Sequence, residues 1–382
     1  GTIGVSGVDA AAQGMATQVG IRSRDWTSDF AEMDSDAALI EVSNHSYGYV
    51  TGWAVYSASD FGFSTSTGSV DVWYDDRYLY SSEDPDFGKY GSADRDLDQV
   101  LFDNADLLSV WSAGNDRNDS YGNVSGDGKY VAYFSGDPGS IGWSGTGWYL
   151  VPNSGATLAP GGDGNSGTGY DSIGGKHTAK NSLVVGAVGD ISDDPYTSGQ
   201  IWTASFSGYG PTDDGRIKPD VVGNGYDLYS TDSGSDADYR SLSGTSMSAP
   251  NVSGTAVLLI EHFEDEFGFA PRSASTKGLM IHTATDAGNT GPDYAYGWGL
   301  VNAMNGATFV TDAALNLTGG SYFSEHTYSG SEWTVALDAD GSQPLKATVA
   351  WTDPAGTAHG AGVDLTTPVL VNDLDLWVTG PG

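Results

Sequence analysis

The order of the apolar segments along the chain limits its fold more than any other feature of the sequence. An amphipathic helix is predicted at 93–107, and a compact apolar strand at 107–111 follows it directly. Two more strands are predicted at 182–188 and near 202–206, and the longest helix follows at 246–267. Strands and helices that alternate in this way indicate an α/β fold, in which helices flank a parallel sheet.

Further elements extend this pattern on both sides. The apolar run at 38–42 predicts a buried strand, and helices are predicted at 273–283 and 300–307. Two long stretches rich in glycine, at about 51–92 and 116–172, lack a helical period and interrupt the pattern. We interpret these two stretches as insertions into the α/β domain.

The pattern of apolar and polar residues changes beyond residue 311. Segments at 332–337 and 346–351 alternate apolar and polar residues and are separated by Asp, Gly and Pro turns. We therefore divide the chain into an α/β domain at 1–311 and the start of an all-β domain at 312–382. The second part has too few predicted strands to close a β-sandwich or jelly roll, so we expect it to be incomplete.

The charge balance narrows the classes of partner. The chain has 382 residues, 50 acidic against 15 basic side chains, and a formal net charge of −35. Such a chain repels phosphate backbones, so nucleic acid is not expected as a partner. Because salt screens the repulsion among the carboxylates, a saline source is one hypothesis, and an acidic extracellular protein that holds some calcium is the other.

Two features that the sequence lacks, cysteine and a long apolar run, exclude cysteine chemistry and a predicted transmembrane helix. The chain contains no cysteine, which rules out disulfides, thiolate metal sites and a cysteine nucleophile. No apolar run approaches the ~18 residues that a transmembrane helix needs, so no membrane span is predicted. We expect a monomer.

The most informative serine lies at the head of the longest predicted helix. Ser246 stands within Gly244-Thr245-Ser246-Met247-Ser248-Ala249-Pro250. A helix N-terminus presents unpaired backbone N–H groups, and these can hold the oxyanion that forms when a carbonyl is attacked. The alternative is a plain helix cap, since serine is favoured there. The pattern is not the G-x-S-x-G elbow, because Ser248 replaces the second glycine.

An asparagine follows the predicted strand at 107–111. Asn115 ends the segment Ser112-Ala113-Gly114-Asn115, which places its amide at the carboxyl edge of the sheet. A neutral N–H donor at that edge could supply a second hydrogen bond to an oxyanion. The alternative is an ordinary turn residue in a glycine-rich loop.

Together these segments resemble the subtilisin-like serine peptidases of family S8. The resemblance extends from residue 1 to 382 and is strongest to the KP-43-type alkaline proteases, which carry a C-terminal β-sandwich domain. Ser248 departs from the family, which usually has alanine at that position. The matching segments are Gly244–Pro250, Ser112–Asn115, Asn44–Gly48, Thr178–Asn181, Gly215–Asp220 and Val371–Leu376.

The resemblance implies a secreted serine endopeptidase that acts on proteins or peptides. Ser246 would be the nucleophile and Asn115 the oxyanion donor, and the first specificity pocket would lie near Gly174. No cofactor is implied for catalysis, but structural calcium is consistent with the relatives. Residues implied to bind the substrate backbone are Ser46, Tyr47, Gly48, Ser112, Ala113 and Gly114. Acidic residues considered as calcium ligands are Asp84, Asp86, Asp94, Asp373 and Asp375.

The family's catalytic histidine and aspartate have no counterpart in the sequence. Gly1-Thr2-Ile3 resembles the end of the histidine motif, so the base would precede residue 1. We therefore expect a fragment that is inactive by itself, because a serine hydroxyl needs a base to become a nucleophile. None of the six histidines is predicted to replace that base: His45, His177, His262, His282, His326 and His359.

Two other functions stay open at this point. One is a peptidase-like scaffold that binds without cutting. The other is a secreted protein that binds glycans or surfaces, which the Asp, Trp and Gly content and the all-β segment suggest. Trp53 and Trp73 in the first insertion could shape outer subsites, although a structural lid is the more ordinary interpretation.

Overall fold

The structure, a computed structural model, describes residues 1–76, 83–121, 127–136, 145–152, 169–191, 196–315, 320–338, 341 and 344–380. Its strands are β1 Val42–His45, β2 Trp53–Ser57, β3 Ser69–Asp76, β4 Leu108–Ser112, β5 Lys129–Phe134, β6 Gly147–Pro152, β7 Leu183–Val188, β8 Val221–Asn224, β9 Leu228–Thr231 and β10 Tyr239–Leu242. Its α-helices are α1 Asp29–Asp36, α2 Ser92–Asp103, α3 Thr245–Phe267, α4 Ser273–Thr283 and α5 Ala303–Leu315.

A parallel sheet with the strand order β1-β4-β7-β8 forms the centre of the molecule. Helix α3 lies across one of its faces. Val110 and Val185 of the sheet pack there with Val252 and Ala256 of the helix in one buried cluster. The predicted α/β fold is thus confirmed.

The opposite face of this sheet is covered by α1 and α2. Trp111 and Val184 pack there with Met33 of α1 and with Leu97 and Leu101 of α2. Neighbouring residues on a strand point to opposite faces, so the strands of a sheet covered on both sides are apolar throughout. This explains the continuous apolar runs from which these strands were predicted.

The two insertions form a single additional sheet. Its strand order is β2-β3-β5-β6, with β2 and β3 from the first insertion and β5 and β6 from the second. The insertions are joined by parallel pairing of β3 with β5. Trp53 and Trp73 are 1% and 0% exposed and pack with Tyr130 in the core of this sheet. These tryptophans therefore belong to the core of the additional sheet, and the interpretation of this sheet as a lid stays a prediction.

The sequence predictions of helices were more accurate than those of strands. The predicted helices at 246–267 and 273–283 match α3 and α4. The strand predicted at 38–42 is wrong, because β1 begins only at Val42 and Leu39 is 63% exposed. The strand near 202–206 is also wrong, since only an isolated bridge between Val188 and Thr203 occurs there.

The C-terminal β-sandwich is not confirmed. Among the described residues from 320 onwards, no residue belongs to a strand. Trp333 and Leu337 of the predicted strand at 332–337 are 51% and 47% exposed, so the described residues do not cover them with a second layer. The division at 311/312 stays a prediction, and α5 continues through it to Leu315. No helix among the described ranges is both long enough and apolar enough to cross a membrane.

The acidic surface leads to a prediction about salt. With 50 acidic and 15 basic residues, the folded chain repels itself, and this repulsion is reduced when the Debye length falls to about 3 Å at 1 M salt. The melting temperature should therefore rise by several degrees between 0.05 M and 1 M NaCl. Near pH 4, where many carboxylates are neutral, the same salt step should have a smaller effect. No rise at neutral pH would exclude the saline hypothesis.

Candidate active site

Ser246 lies in the first turn of α3 and is partly exposed. Its hydroxyl donates a hydrogen bond to the backbone carbonyl of Ser46, at 3.2 Å. The helix presents its free N–H groups and the positive end of its dipole at this turn. The hydroxyl is thus held where a developing negative charge would be stabilised.

A proline one turn further along α3 couples this turn to the segment after β1. Pro250 has no N–H group and cannot donate to the carbonyl of Ser246, four residues earlier. The hydroxyl of Ser46 donates to that carbonyl instead, at 2.8 Å. The two serines are therefore joined by two hydrogen bonds in opposite directions, which fix the distance between the two segments.

Asn115 is anchored to the residue next to Ser246. The backbone N–H and the hydroxyl of Thr245 donate to its side-chain oxygen at 2.8 and 2.9 Å. Because a backbone N–H can only donate, the amide oxygen must face Thr245 and the amide NH₂ must face away from it. The structure thus brings Ser246 and Asn115 together, and leaves the asparagine oriented as a donor.

The residues predicted to bind substrate leave the sheet at the same edge. Ser46, Tyr47 and Gly48 follow β1, and Ser112 to Gly114 follow or end β4, its parallel neighbour. Gly48 is exposed, whereas Ser112 and Ala113 are buried. The two segments are therefore neighbours, and the more accessible one follows β1.

Two glycines allow close packing beside this edge. A Cβ atom on Gly174 would lie 2.6 Å from the hydroxyl of Thr51, and one on Gly48 would lie 2.0 Å from Nε2 of His177. Contacts this short cannot be accommodated, so the segment after β1 packs on the 174–177 segment only because both positions lack a side chain. Gly174 thus lies beside the segment predicted to bind substrate.

Ser248 has a structural role that explains its departure from the family. It is fully buried, and its hydroxyl donates to the carbonyls of Gly186 and Gly223 at 2.6 and 3.0 Å. These carbonyls belong to β7 and β8, so the hydroxyl ties α3 to the central sheet.

The histidines all lie in other environments than that of Ser246. His45 is stacked on Trp111 at 4.3 Å, and its Nδ1 is 2.7 Å from the hydroxyl of Tyr47. Burial lowers the pKa of His45 and of His177 to about 4, so both are neutral at pH 7. In the described part of the chain, no histidine is hydrogen bonded to Ser246. The other four contact residues elsewhere: His262, His282, His326 and His359.

One of the matched segments, Gly215–Asp220, has a structural role. Asp220 directly precedes β8, and its carboxylate accepts hydrogen bonds from Lys218 at 2.6 Å and from the backbone N–H of Val184 at 2.7 Å. Lys277 of α4 lies 2.9 Å from its other oxygen. Burial opposes ionisation, but the two lysines hold the pKa of Asp220 below its usual value. The motif therefore fastens α4 to β7.

The acidic residues considered for calcium have varied surroundings. Asp84 accepts the backbone N–H groups of Gly52 and Asp86 at 2.7 and 3.0 Å. Asp94 is fully buried and accepts the backbone N–H of Thr178 at 3.0 Å. These two carboxylates thus organise the backbone, a role that the sequence did not indicate. The remaining three are exposed: Asp86, Asp373 and Asp375.

Several curated proteins are similar to parts of the chain. It is 47% identical over 62 residues to the C5a peptidase of Streptococcus pyogenes, covering 16% of this chain and 5% of that protein. It is 34% identical over 131 residues to pyrolysin of Pyrococcus furiosus, covering 30% and 9%. The serine protease/ABC transporter B family protein tagA of Dictyostelium discoideum is 27% identical over 203 residues, covering 45% and 11%. The chain thus spans only 5–11% of the length of these relatives.

Two solved structures and a family model complete the comparison. A mutant of the protease domain of PatA has a TM-score of 0.43 at 17% identity, covering 81% of this chain and 78% of that one. The prenylagaramide maturation protease PagA has a TM-score of 0.40 at 16% identity, covering 74% and 67%. The model of the subtilase family, peptidase S8, matches residues 2–299. The chain therefore belongs to the subtilase family.

Proposed function

We propose that the protein is a serine endopeptidase in which Ser246 is the nucleophile and Asn115 donates a hydrogen bond to the oxyanion. The observation that carries this proposal is the anchoring of Asn115 by Thr245, the residue next to Ser246, at 2.8 Å. The arrangement joins a hydroxyl at a helix N-terminus to an oriented amide donor. Membership of the subtilase family supports the same chemistry.

In this mechanism the Ser246 oxygen adds to the carbonyl carbon of a peptide bond while a base takes its proton. The carbonyl oxygen becomes an oxyanion, which the Asn115 amide and an N–H group at the start of α3 would stabilise. Expulsion of the amine leaves an acyl-enzyme, and water then releases the acid. An extended substrate would pair with the exposed backbone at Gly48, so its specificity for sequence would be broad.

The base is the missing part of this constellation. No histidine among the described residues is bonded to Ser246, so we expect residues 1–382 alone to hydrolyse peptides very slowly. Substrates would be proteins or peptides, and the site of action would be outside the cell. An inactive scaffold is the alternative, whereas the glycan-binding function loses the support of Trp53 and Trp73, which are buried.

A serine-directed phosphonate tests the proposal on the protein as its organism produces it. The reagent should label the peptide that contains Ser246, because its tetrahedral adduct resembles the oxyanion intermediate. Asn115→Leu should slow labelling by about 10²- to 10³-fold, the loss known for the oxyanion asparagine of subtilisin. Asn118→Leu, at an exposed asparagine in the next loop, is the matched control and should not change the rate. A folded protein that resists labelling would favour the scaffold.

A further inference from the structure

Four acidic side chains that are distant in sequence converge beside the peptidase core. Glu83, Asp171 and Asp364 place carboxylate oxygens within 4.8 Å of one another. Asp213 joins them, because a Cβ atom on Gly88 would lie 2.3 Å from Oδ1 of both Asp171 and Asp213. None of these four acids was considered as a ligand from the sequence.

The carboxylates of this cluster lack the donors that buried acids normally have. Asp171 is 7% exposed, yet its Oδ1 accepts no hydrogen bond, and the same holds for Oδ1 of Asp213 and Oε1 of Glu83 within the described residues. Arg216, the basic residue nearest in sequence to Asp213, pairs with Asp214 instead, at 2.9 Å. A buried carboxylate without a donor is costly. Oxygens without donors in a cluster of four acids therefore indicate a cationic partner.

Electrostatics supports this interpretation. Burial, followed by the charges of the neighbouring acids, raises the pKa of Asp171 to about 8 and that of Glu83 to about 7. These acids thus destabilise one another when ionised. A bound cation would remove that repulsion.

The backbone holds the cluster in a fixed geometry. Asp171 donates its N–H to the carbonyl of Gly210 at 3.0 Å, and Asp213 donates its own to Gly88 at 2.9 Å. The other carboxylate oxygen of Asp213 accepts the N–H of Leu365 at 2.9 Å. Asp171 has a φ of 58°, which is costly for a residue with a side chain and is maintained only by its surroundings. The acids are therefore positioned by contacts that do not depend on a ligand.

We propose that Glu83, Asp171, Asp213 and Asp364 bind a calcium ion. Calcium takes oxygen ligands at 2.3–2.6 Å, so two ligand oxygens on opposite sides of the ion lie about 4.8 Å apart. The carboxylate oxygens of Glu83, Asp171 and Asp364 all lie within this distance of one another, so a single ion could contact all three. Magnesium usually keeps several waters and is held by one or two carboxylates, so a cluster of four acids suits calcium better.

The ion joins four separate segments of the chain. Glu83 lies in the first insertion, Asp171 lies at the end of the second, Asp213 lies in a turn of the α/β domain, and Asp364 belongs to the C-terminal segment. Binding in the folded state alone stabilises that state by mass action. Calcium therefore stabilises the attachment of both insertions and the C-terminal segment to the core.

Thermal unfolding in EDTA and in CaCl₂ tests the proposal. Calcium at ~100 times its dissociation constant should raise the melting temperature of the protein by roughly 5 °C. Asp171→Asn should remove most of this rise and lower calcium affinity by at least tenfold in calorimetry. In EDTA the same variant should melt no lower than the parent, because the substitution relieves repulsion. The Asp171→Asn variant should thus melt at a lower temperature than the parent in CaCl₂, and at the same or a higher temperature in EDTA.

Two further variants keep the result interpretable. Glu83→Gln, at a less buried ligand, should also weaken calcium binding and covers the case in which Asp171→Asn does not fold. Asp375→Asn, at an exposed acid in the C-terminal segment, should leave the calcium response unchanged. Equal calcium responses in the parent, Asp171→Asn and Glu83→Gln would overturn the proposal, as would a loss confined to Asp375→Asn. A Glu83→Gln variant that melts lower than the parent by the same amount with and without calcium would also overturn it.

Discussion

Replacing Ser246 with alanine should lower kcat for peptide hydrolysis by about 10⁶-fold, the loss known for the catalytic serine of subtilisin. The substitution removes the atom that forms the covalent bond, so the acyl-enzyme cannot form. KM should change little, because the backbone that receives the peptide remains. The measurement is steady-state hydrolysis of a chromogenic peptide by the protein as its organism produces it.

Ser248→Ala is the matched control for this prediction. Ser248 is two residues away and buried, and its hydroxyl bonds to Gly186 and Gly223 rather than to a substrate. The control should lose about 1–3 kcal/mol of stability because two buried acceptors lose their donor, while its kcat is retained. Comparable turnover by the Ser246→Ala and parent proteins would show that the nucleophile lies elsewhere.

Replacing Lys180 with methionine should destabilise the protein by about 3–5 kcal/mol, the usual loss when one partner of a buried ion pair is removed. Lys180 and Asp353 lie 2.5 Å apart, and their side chains are 3% and 2% exposed. The same ammonium group donates to the carbonyls of Pro354 and Val369. The variant leaves Asp353 charged and buried without its cation. Urea unfolding of parent and variant measures the loss.

The pH dependence distinguishes this pair from a general packing defect. Burial alone would raise the pKa of Asp353, but Lys180 and the N–H groups of Val371 and Asn372 hold it below the usual value. Its stabilising contribution is therefore present above about pH 4 and is lost as the pH falls through the folded-state pKa. The difference between parent and Lys180→Met should shrink in acid.

An exposed ion pair provides the control for Lys180→Met. Arg95 and Asp96 are 45% and 53% exposed, so Arg95→Gln should cost less than about 1 kcal/mol. A similar small loss for Lys180→Met would mean that the buried pair contributes little. In that case the attachment of the C-terminal segment must depend on other contacts, such as those of Asn181 to the backbone of Asp353.

Local patterns predicted helices α2, α3 and α4 and the central strands β4 and β7, because amphipathic periods and apolar runs depend on nearby residues. The start of β1 could not be predicted, since it is set by pairing of Val42 with Leu108, 66 residues away in sequence. The additional sheet could not be predicted for the same reason, because Val72 of the first insertion pairs with Val131 of the second. Contacts this distant in sequence leave no signal in a local pattern.

Buried acids were the other systematic failure. Asp94 and Asp98 lie on α2, and the amphipathic pattern gave no sign that their carboxylates are buried. Both are buried because backbone N–H groups of Thr178 and Asn181 donate to them. The sequence shows the carboxylates but not the distant donors. The cluster around Asp171 was missed because its acids are distant from one another in sequence.

The candidate active site was predicted from motifs, and the connections within it came from the structure. The motifs indicated Ser246 and Asn115 without a link between them. Thr245 supplies that link, and Pro250 frees the carbonyl that Ser46 binds. In the sequence, Pro250 indicates only a disturbed helix. Its effect on the carbonyl of Ser246 is seen only once the structure shows that the hydroxyl of Ser46 donates to that carbonyl.

The pairing of β3 with β5 makes the two insertions interdependent. If only the second insertion were removed, β3 would lose its pairing with β5. Trp73, which packs in one buried cluster with Tyr130, would then be exposed. The strand left behind would present unpaired backbone groups and apolar side chains, a combination that promotes aggregation. A shortened form of this protein that is to stay folded must therefore lack both insertions or keep both.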